Sequence, residues 1–514
     1  MTNPFIRRLT LLFALCATGV ALRVEAAAPA PGSFAMYPIR IVLEDGGFHE
    51  AERGIFYAPA NRSKPDGRVV TVEVYRFRAS NSANPDAPPI FWLPGGPRFS
   101  GLGGLLGEPG GFEREIHPHL DHADLVVVSQ RGIGPSQPST IIETTTPQTP
   151  LDQPYDDAAA SAAYRAVLAR ERKAWEAQGV DLSGFAVDEA AADVNFVRAA
   201  LGYEKIVVWG GSFGSHWGMA VMRFHPEIVE RAVLRAMEGP DHTYDHPGHI
   251  WNVYKRVAEE AEAHSTFEGF IPEGGLAKAI ENLVAKVAIV PARVTVRTSE
   301  GPQTVLIDGT IIRHLARGYS GSLGAWPSDI INLYAGNYGK AAVTLVRARQ
   351  TSANQLGDYR ETSRFRNAGR TFLTASYFAL DCGSGISAER LAAYDANPAN
   401  QVIGEINWKY KEGCKEFDND MGDAFRQNFE TDIPTVIVHG TWDLSTPYEN
   451  ALELLPYFKN RKFVTVKRGP HGSLRAAMEV SKPFSDAIYK FVSTGDMAGI
   501  PDEVEIPVEW VAPR

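Results

Sequence analysis

Three short runs in this chain carry residue types suited to covalent chemistry on a carbonyl group. Ser212 lies in Gly210-Gly211-Ser212-Phe213-Gly214, Asp443 in His439-Gly440-Thr441-Trp442-Asp443-Leu444-Ser445-Thr446-Pro447, and His471 in Arg468-Gly469-Pro470-His471-Gly472. A serine hydroxyl is a weak nucleophile at neutral pH, so it needs a base, usually an imidazole held by a carboxylate. In that scheme Ser212 attacks, His471 takes its proton and Asp443 orients the ring. His439 competes for the base role, but its place at a strand end beside the acid favours a structural one. The negative oxygen formed by attack needs preorganised N–H donors. The amide of Phe213, just after the nucleophile, supplies one. Gly96, in the turn Leu93-Pro94-Gly95-Gly96-Pro97, is expected to supply the second.

Each run follows an apolar segment that reads as a buried strand: Ile90–Leu93, Lys205–Trp209, Pro434–Val438 and Lys462–Val466. From Ser215 to Glu230 the apolar residues recur at helical spacing, so Ser212 sits on a sharp strand-to-helix turn. Leu125–Val128 and Arg231–Leu234 add further buried strands, Tyr37–Glu44 and Val69–Arg78 alternate as antiparallel ones, and Ala158–Gln178 and Asp188–Leu201 read as helices. Strands alternating with helices predict an α/β class with a mostly parallel central sheet. Between about His246 and Asn428 this rhythm lapses. Helical stretches such as Trp251–His264 and Leu276–Val287 dominate, with one strand-like piece at Ala292–Arg297. The expected organisation is a signal peptide over 1–26, a core over 27–245, a mainly helical cap or lid inserted over 246–428, and the rest of the core over 429–514.

The 514 residues are 44% hydrophobic and 22% charged, with a formal net charge of −10, which argues against a nucleic-acid partner. Arg7 and Arg8 precede the apolar stretch Leu9–Leu22, too short for a stable bilayer span. Cleavage after Ala26 would export the chain to a periplasmic or secreted location, with no stable membrane span in the mature protein. Cys382 and Cys414 then remain. In an oxidising compartment this pair is expected to form a disulfide, although two buried thiols would satisfy the same count. The glycine-rich stretch Gly101–Gly111 lacks the G-x-G-x-x-G spacing of a dinucleotide site, and no cofactor or metal is required. His117, His119, Asp121 and His122, and His242, Asp245, His246 and His249, are read as solvated loop residues, because the first group has no recognised ligand spacing and the second is interrupted by Pro247 on a loop. Asp418-Asn419-Asp420 lacks the glycine and glutamate of a calcium loop.

Leu93–Pro97 resembles the H-G-G-P-G turn of the proline iminopeptidase and tripeptidyl aminopeptidase family of α/β-hydrolases. Ser129-Gln130-Arg131-Gly132-Ile133-Gly134-Pro135-Ser136 is similar to its D-Q-R-G-x-G-x-S segment, Gly210–Ser215 to its G-G-S-[YF]-G-[ST] elbow, and Gly440–Pro447 and Gly469–Gly472 to its acid and histidine loops. The resemblance runs over about residues 70–495. It implies an α/β-hydrolase fold with a helical cap, a TAP-like C-terminal region and release of N-terminal residues from short peptides. Pro94, Arg98 and Ser129 depart from the family pattern at positions outside the Ser-Asp-His set, which leaves substrate preference open. Arg98, near the oxyanion turn, reads first as a solvated or ion-paired residue, with attraction of a substrate carboxylate as the alternative.

An exopeptidase must pair the substrate's ammonium with a carboxylate. Glu238, shortly after the strand at 231–234, is the first candidate, and a structural acceptor role in its turn is the alternative. Asp381 and Glu405 are weaker ones. The expected function is therefore a serine aminopeptidase of prolyl or tripeptidyl type. A carboxylesterase or lactonase using the same three residues is the alternative, and a noncatalytic binding protein is a third reading.

Overall fold

The computed structural model describes residues 29–513 apart from residues 66, 81–85, 98–100, 107–109, 134–135, 146–149, 155, 300, 320 and 352–369. The expected signal peptide and Arg98 lie outside the described residues.

Ten strands form the main sheet: β1 (Phe34–Val42), β2 (Phe48–Pro59), β3 (Val69–Phe77), β4 (Ile90–Leu93), β5 (Leu125–Val128), β6 (Ile206–Gly211), β7 (Val229–Arg235), β8 (Thr435–Gly440), β9 (Arg461–Lys467) and β10 (Glu503–Glu505). Their order is β1-β2-β3-β5-β4-β6-β7-β8-β9-β10. The first three and β5 pair antiparallel, and every pairing from β5 through β4 to β10 is parallel. The central strands are apolar throughout because helices cover both faces of the sheet. Alternation along β6 divides two cores. Ile206 and Val208 face one that includes α2 (Val187–Ala200) and α3 (Phe213–Phe224), behind α1 (Asp157–Ala177). Val207 and Trp209 face the other, with Phe484, Ile488 and Phe491.

The stretch expected as one inserted lid divides between cores. Residues of α4 (Pro247–Glu262) and of α5 (Gly309–Leu315) share a separate apolar core with Leu283, Ile330 and Ile403. Phe378, Ala379 and Leu380 of α6 (Ala375–Ser384), and Phe425, instead join the core under the main sheet. The strand-like piece at 292–297 is one arm of a hairpin, Ala292–Thr298 with Gly301–Ile307. Strand β2 was not expected, because Glu50, Glu52 and Arg53 interrupt its apolar alternation, and these side chains face partly to solvent.

Arg131 shows how a charged residue serves this core. It is 1% exposed, donates to Asp193 through Nε (2.5 Å) and Nη2 (2.9 Å), and through Nη1 to the carbonyls of Ala60 (3.0 Å) and Gly184 (2.8 Å). Arg62 completes the cluster on Asp193 (2.6 Å) and Glu189. Every donor of a buried guanidinium has to be satisfied, and here backbone carbonyls from two loops complete the set. Arg131→Ala leaves the buried Asp193 with Arg62 alone and strips the Ala60 and Gly184 carbonyls of their donor. The expected cost is about 3–5 kcal/mol of stability, read as a lower midpoint in chemical denaturation. A midpoint within error of the unmodified protein would refute it.

Candidate active site

The turn between β6 and α3 holds Ser212 at φ 58° and ψ −135°, a strained backbone costing on the order of 1–3 kcal/mol. Its neighbours must be glycine. A Cβ on Gly210 would lie 2.2 Å from the Gly214 carbonyl oxygen, and one on Gly214 would lie 2.2 Å from that of Leu93. Ser215 latches the turn: its hydroxyl donates to the Ser212 carbonyl (2.7 Å) and accepts from the Glu238 amide (3.0 Å). Ser215 thus ties the turn at Ser212 to the segment after β7.

Gly95 packs against Ser212, since a Cβ there would meet the Ser212 Cβ at 3.3 Å. Gln130 sets the orientation of that turn, donating through Nε2 to the carbonyls of Pro94 (3.1 Å) and Gly95 (2.9 Å). In a trans peptide N–H and C=O point in opposite directions, so the amides of Gly95 and Gly96 point away from Gln130. Neither they nor the Phe213 amide, at the first turn of α3, has an acceptor among the described residues.

Asp443 is fully buried. It accepts from the amides of Ser445 (2.9 Å) and Thr446 (3.0 Å) and from the Thr446 hydroxyl (2.9 Å). His471 Nδ1 lies 2.9 Å from both its oxygens. Burial alone would push this carboxyl up, but the charge and hydrogen bond of His471, with His439 and the Thr446 amide, hold it below the ordinary aspartate value. With Nδ1 engaged by Asp443, Nε2 is the ring nitrogen that His471 leaves free. The Ser212 hydroxyl and Nε2 are not hydrogen-bonded to each other, as is common before substrate tightens such a contact. His439 is buried, with Nδ1 3.4 Å from the Gly440 carbonyl and its ring against Tyr448.

A carboxylate cluster adjoins these loops. Glu238 is buried and Asp245 partly so, and neither side chain has a hydrogen bond or a cationic partner in ion-pair contact among the described residues. Asp381 on α6 accepts from the hydroxyl of Tyr410 (2.9 Å) on α7 (Trp408–Gly413). Burial pushes Glu238 well above the ordinary glutamate value, helped by Asp381 and Asp245. Burial also pushes Asp245 up to about 7; Asp443 adds to this, while His471 and Arg317 pull it down. Asn407 fixes the Asp245 backbone, accepting from its amide and donating to its carbonyl, both at 2.8 Å. The Cys382–Cys414 disulfide, with Cα atoms 5.2 Å apart, ties α6 to the end of α7. Asp245 was expected only as one of a loop histidine group. Glu405 lies elsewhere, bonded to Lys411 and to the Asn407 amide.

Most of these histidines are packed, while His117 and Asp121 are exposed as expected. His119 is buried edge-on against Trp209, and burial lowers its pKa to about 3. His242 is buried against Glu453 at 3.2 Å, and His246 stacks on His249 at 3.6 Å. No set of three or more His, Cys, Asp or Glu among the described residues is arranged to hold a metal. The inserted segment grips both catalytic-loop candidates. Arg256 on α4 donates to the Thr441 carbonyl (3.0 Å), Glu260 on α4 pairs with Arg468 (2.6 Å), and Trp442 lies in the separate core of the insertion.

Residues 88–259 match the family model described as alpha/beta hydrolase fold, and residues 401–503 match that described as TAP-like protein. The chain has the α/β-hydrolase fold. It is 27% identical over 171 residues to a proline iminopeptidase of Neisseria meningitidis, covering 33% of this chain and 39% of that protein. It is 26% identical over 196 residues to a tripeptidyl aminopeptidase of Streptomyces lividans, covering 36% and 35%. A 195-residue match to the serine protease Hip1 of Mycobacterium tuberculosis, also at 26%, covers 37% and 36%. Each alignment spans less than two fifths of the relative. No described helix is long and apolar enough to cross a membrane.

Proposed function

We propose that this α/β-hydrolase is an exported serine aminopeptidase, acting in the periplasm or outside the cell on short peptides with a free N-terminus. His471 takes the proton from Ser212, whose oxygen attacks the carbonyl carbon of the N-terminal segment. Asp443 holds the imidazole and stabilises its charged form. The amides of Gly96 and Phe213 receive the developing oxyanion. His471 then protonates the leaving amine, and water attacks the acyl-enzyme to free Ser212. The observation that carries the reading is Glu238 with Asp245: neither side chain has an ion-pair partner among the described residues, and Asp381 lies close enough to raise Glu238. An enclosed acid without a cation is costly to ionise, and a peptide ammonium supplies the missing charge.

The test is a panel of prolyl, alanyl and tripeptidyl p-nitroanilides, their N-acetylated forms, and p-nitrophenyl acetate. Free-amine anilides should be cleaved, and N-acetylation should lower kcat/KM by roughly 30-fold or more, the loss expected when a buried charge is left unpaired. Cleavage of the ester alone would make the protein an esterase. Equal rates on free and acetylated anilides would remove the amine-anchoring role.

A further inference from the structure

The turn that carries Glu238 is held from both sides by histidines. The Gly239 amide donates to His242 Nδ1 (3.1 Å), whose Nε2 lies 3.2 Å from Glu453. The Gly239 carbonyl accepts from His216 Nδ1 at 3.1 Å. The Glu238 amide donates to the Ser215 hydroxyl (3.0 Å). Residues 238 and 239 are thus fixed by two consecutive side chains of α3, the helix that follows Ser212.

His216 also reaches across to α6. A carbonyl only accepts, so Nδ1 carries the ring proton and Nε2 is the acceptor. The hydroxyl of Ser384 on α6 donates to it at 2.8 Å. The histidine is buried, with Phe213 and Phe425 at 5.6 and 5.7 Å between ring centres. Burial lowers its pKa to about 4, so the ring is neutral at pH 7 and keeps this one tautomer. Ser384 is held independently of it. Its carbonyl accepts from Arg426 Nε (2.9 Å), the Gly385 amide returns to the Asp381 carbonyl (2.7 Å), and Cys382 is bonded to Cys414. Asp381 lies three residues before Ser384, on the same face of α6. One imidazole therefore spans two separately anchored pieces, the turn bearing Glu238 and the helix bearing Asp381. Its side chain makes no bond to the elbow itself, which Ser215 latches.

We propose that His216 is a positioning residue for substrate selection, setting the spacing of Glu238 and Asp381 and thereby the seat of the substrate's ammonium. This rests on the reading of Glu238 as the amine anchor and deepens it. An ammonium is satisfied only when its acceptors lie at hydrogen-bond distance together, so a displaced carboxylate forfeits its contact. A neutral spacer suits the role, because a second cation beside the carboxylates would compete with the substrate.

The experiment compares alanyl p-nitroanilide, its N-acetyl form and p-nitrophenyl acetate on the full protein, on His216→Asn, on Ser384→Ala and on the pair. Asparagine keeps a donor near the Nδ1 position but gives up the reach to Ser384. Ser384→Ala breaks the same bond from the α6 side without touching α3. Each single variant should lower the preference for the free over the acetylated anilide by roughly 10-fold, within the range for coupled buried neighbours. The loss should appear as a higher KM for the free anilide with kcat changed little. The pair should lose no more than either single variant, because both changes break one link. Should His216→Asn fail to fold, Ser384→Ala decides alone. An unchanged preference in the variants, losses that add in the pair, or a parallel loss of ester hydrolysis would overturn the bridging role and leave the amine anchor standing. Equal cleavage of free and acetylated anilides by the unmodified enzyme would overturn the anchor and this inference with it.

Discussion

Ser212→Ala should lower kcat on free-amine anilides by on the order of 10^5-fold, with KM changed little. The elbow explains why so much is expected of one oxygen atom. The strained Ser212 backbone, the close approach of Gly210 to Gly214 and the Ser215 latch all serve to present one hydroxyl. Alanine tolerates the same backbone no worse than serine does, so the fold should survive and the loss should be chemical. Asp443→Asn is expected to fall by a few orders of magnitude as well, because the amide stabilises the wrong tautomer of His471. The check is steady-state kinetics beside a thermal unfolding curve. Activity within tenfold of the parent in Ser212→Ala, with folding intact, would exclude Ser212 as nucleophile.

The second large effect concerns the carboxylates. Glu238→Gln and Asp245→Asn should each reduce kcat/KM on free-amine substrates by roughly 30- to 1000-fold, the range for truncating one member of a buried charge pair, and should affect p-nitrophenyl acetate far less. The pH dependence follows from the direction of the shifts. Asp245 titrates near 7 in the free protein, so its charge, and with it amine affinity, grows as pH rises through 7. Affinity then declines as the substrate's α-amine, of pKa about 8, loses its proton. Amine substrates should therefore show a narrow optimum between those values, and the ester should lack the limb due to Asp245. Stability has the opposite slope. A carboxyl raised in the folded state contributes stability that is fully present below its unfolded value, about 4, and is lost as pH rises through 7. Asp245→Asn should remove that slope, measured as the unfolding midpoint from pH 4 to pH 8. An unchanged ester-to-anilide ratio across this range in the unmodified protein would contradict the anchor.

What was legible in the sequence follows from how local each signal is. Strands β4, β6, β8 and β9 are short apolar runs, and the residues just after them fall at one edge of the sheet, so spacing alone makes Gly96, Ser212, Asp443 and His471 candidates. The resemblance flagged Gln130-Arg131 but could not separate their work. Gln130 orients a turn 35 residues earlier, while Arg131 closes a charge cluster on a helix 62 residues later. Asp245 was passed over because its setting depends on Asn407 and Arg317, remote in the chain. The division of the inserted segment between two cores was equally hidden, since helical periodicity says that a face is buried and not against what. The cysteine pair was readable only together with the expected oxidising compartment, since the count alone fitted two buried thiols equally.

Trp442 bears on how this architecture could be reshaped. It directly precedes the buried Asp443, yet its indole belongs to the core formed by α4 and its neighbours, beside Trp510 of the C-terminal tail. The insertion is consequently not an interchangeable cassette. A segment borrowed from a relative would arrive without a socket for that indole and without Arg256 and Glu260, and it would shift the aspartate it was meant only to cover. Divergence in substrate choice should then proceed by replacing residues within the existing insertion more readily than by exchanging the whole.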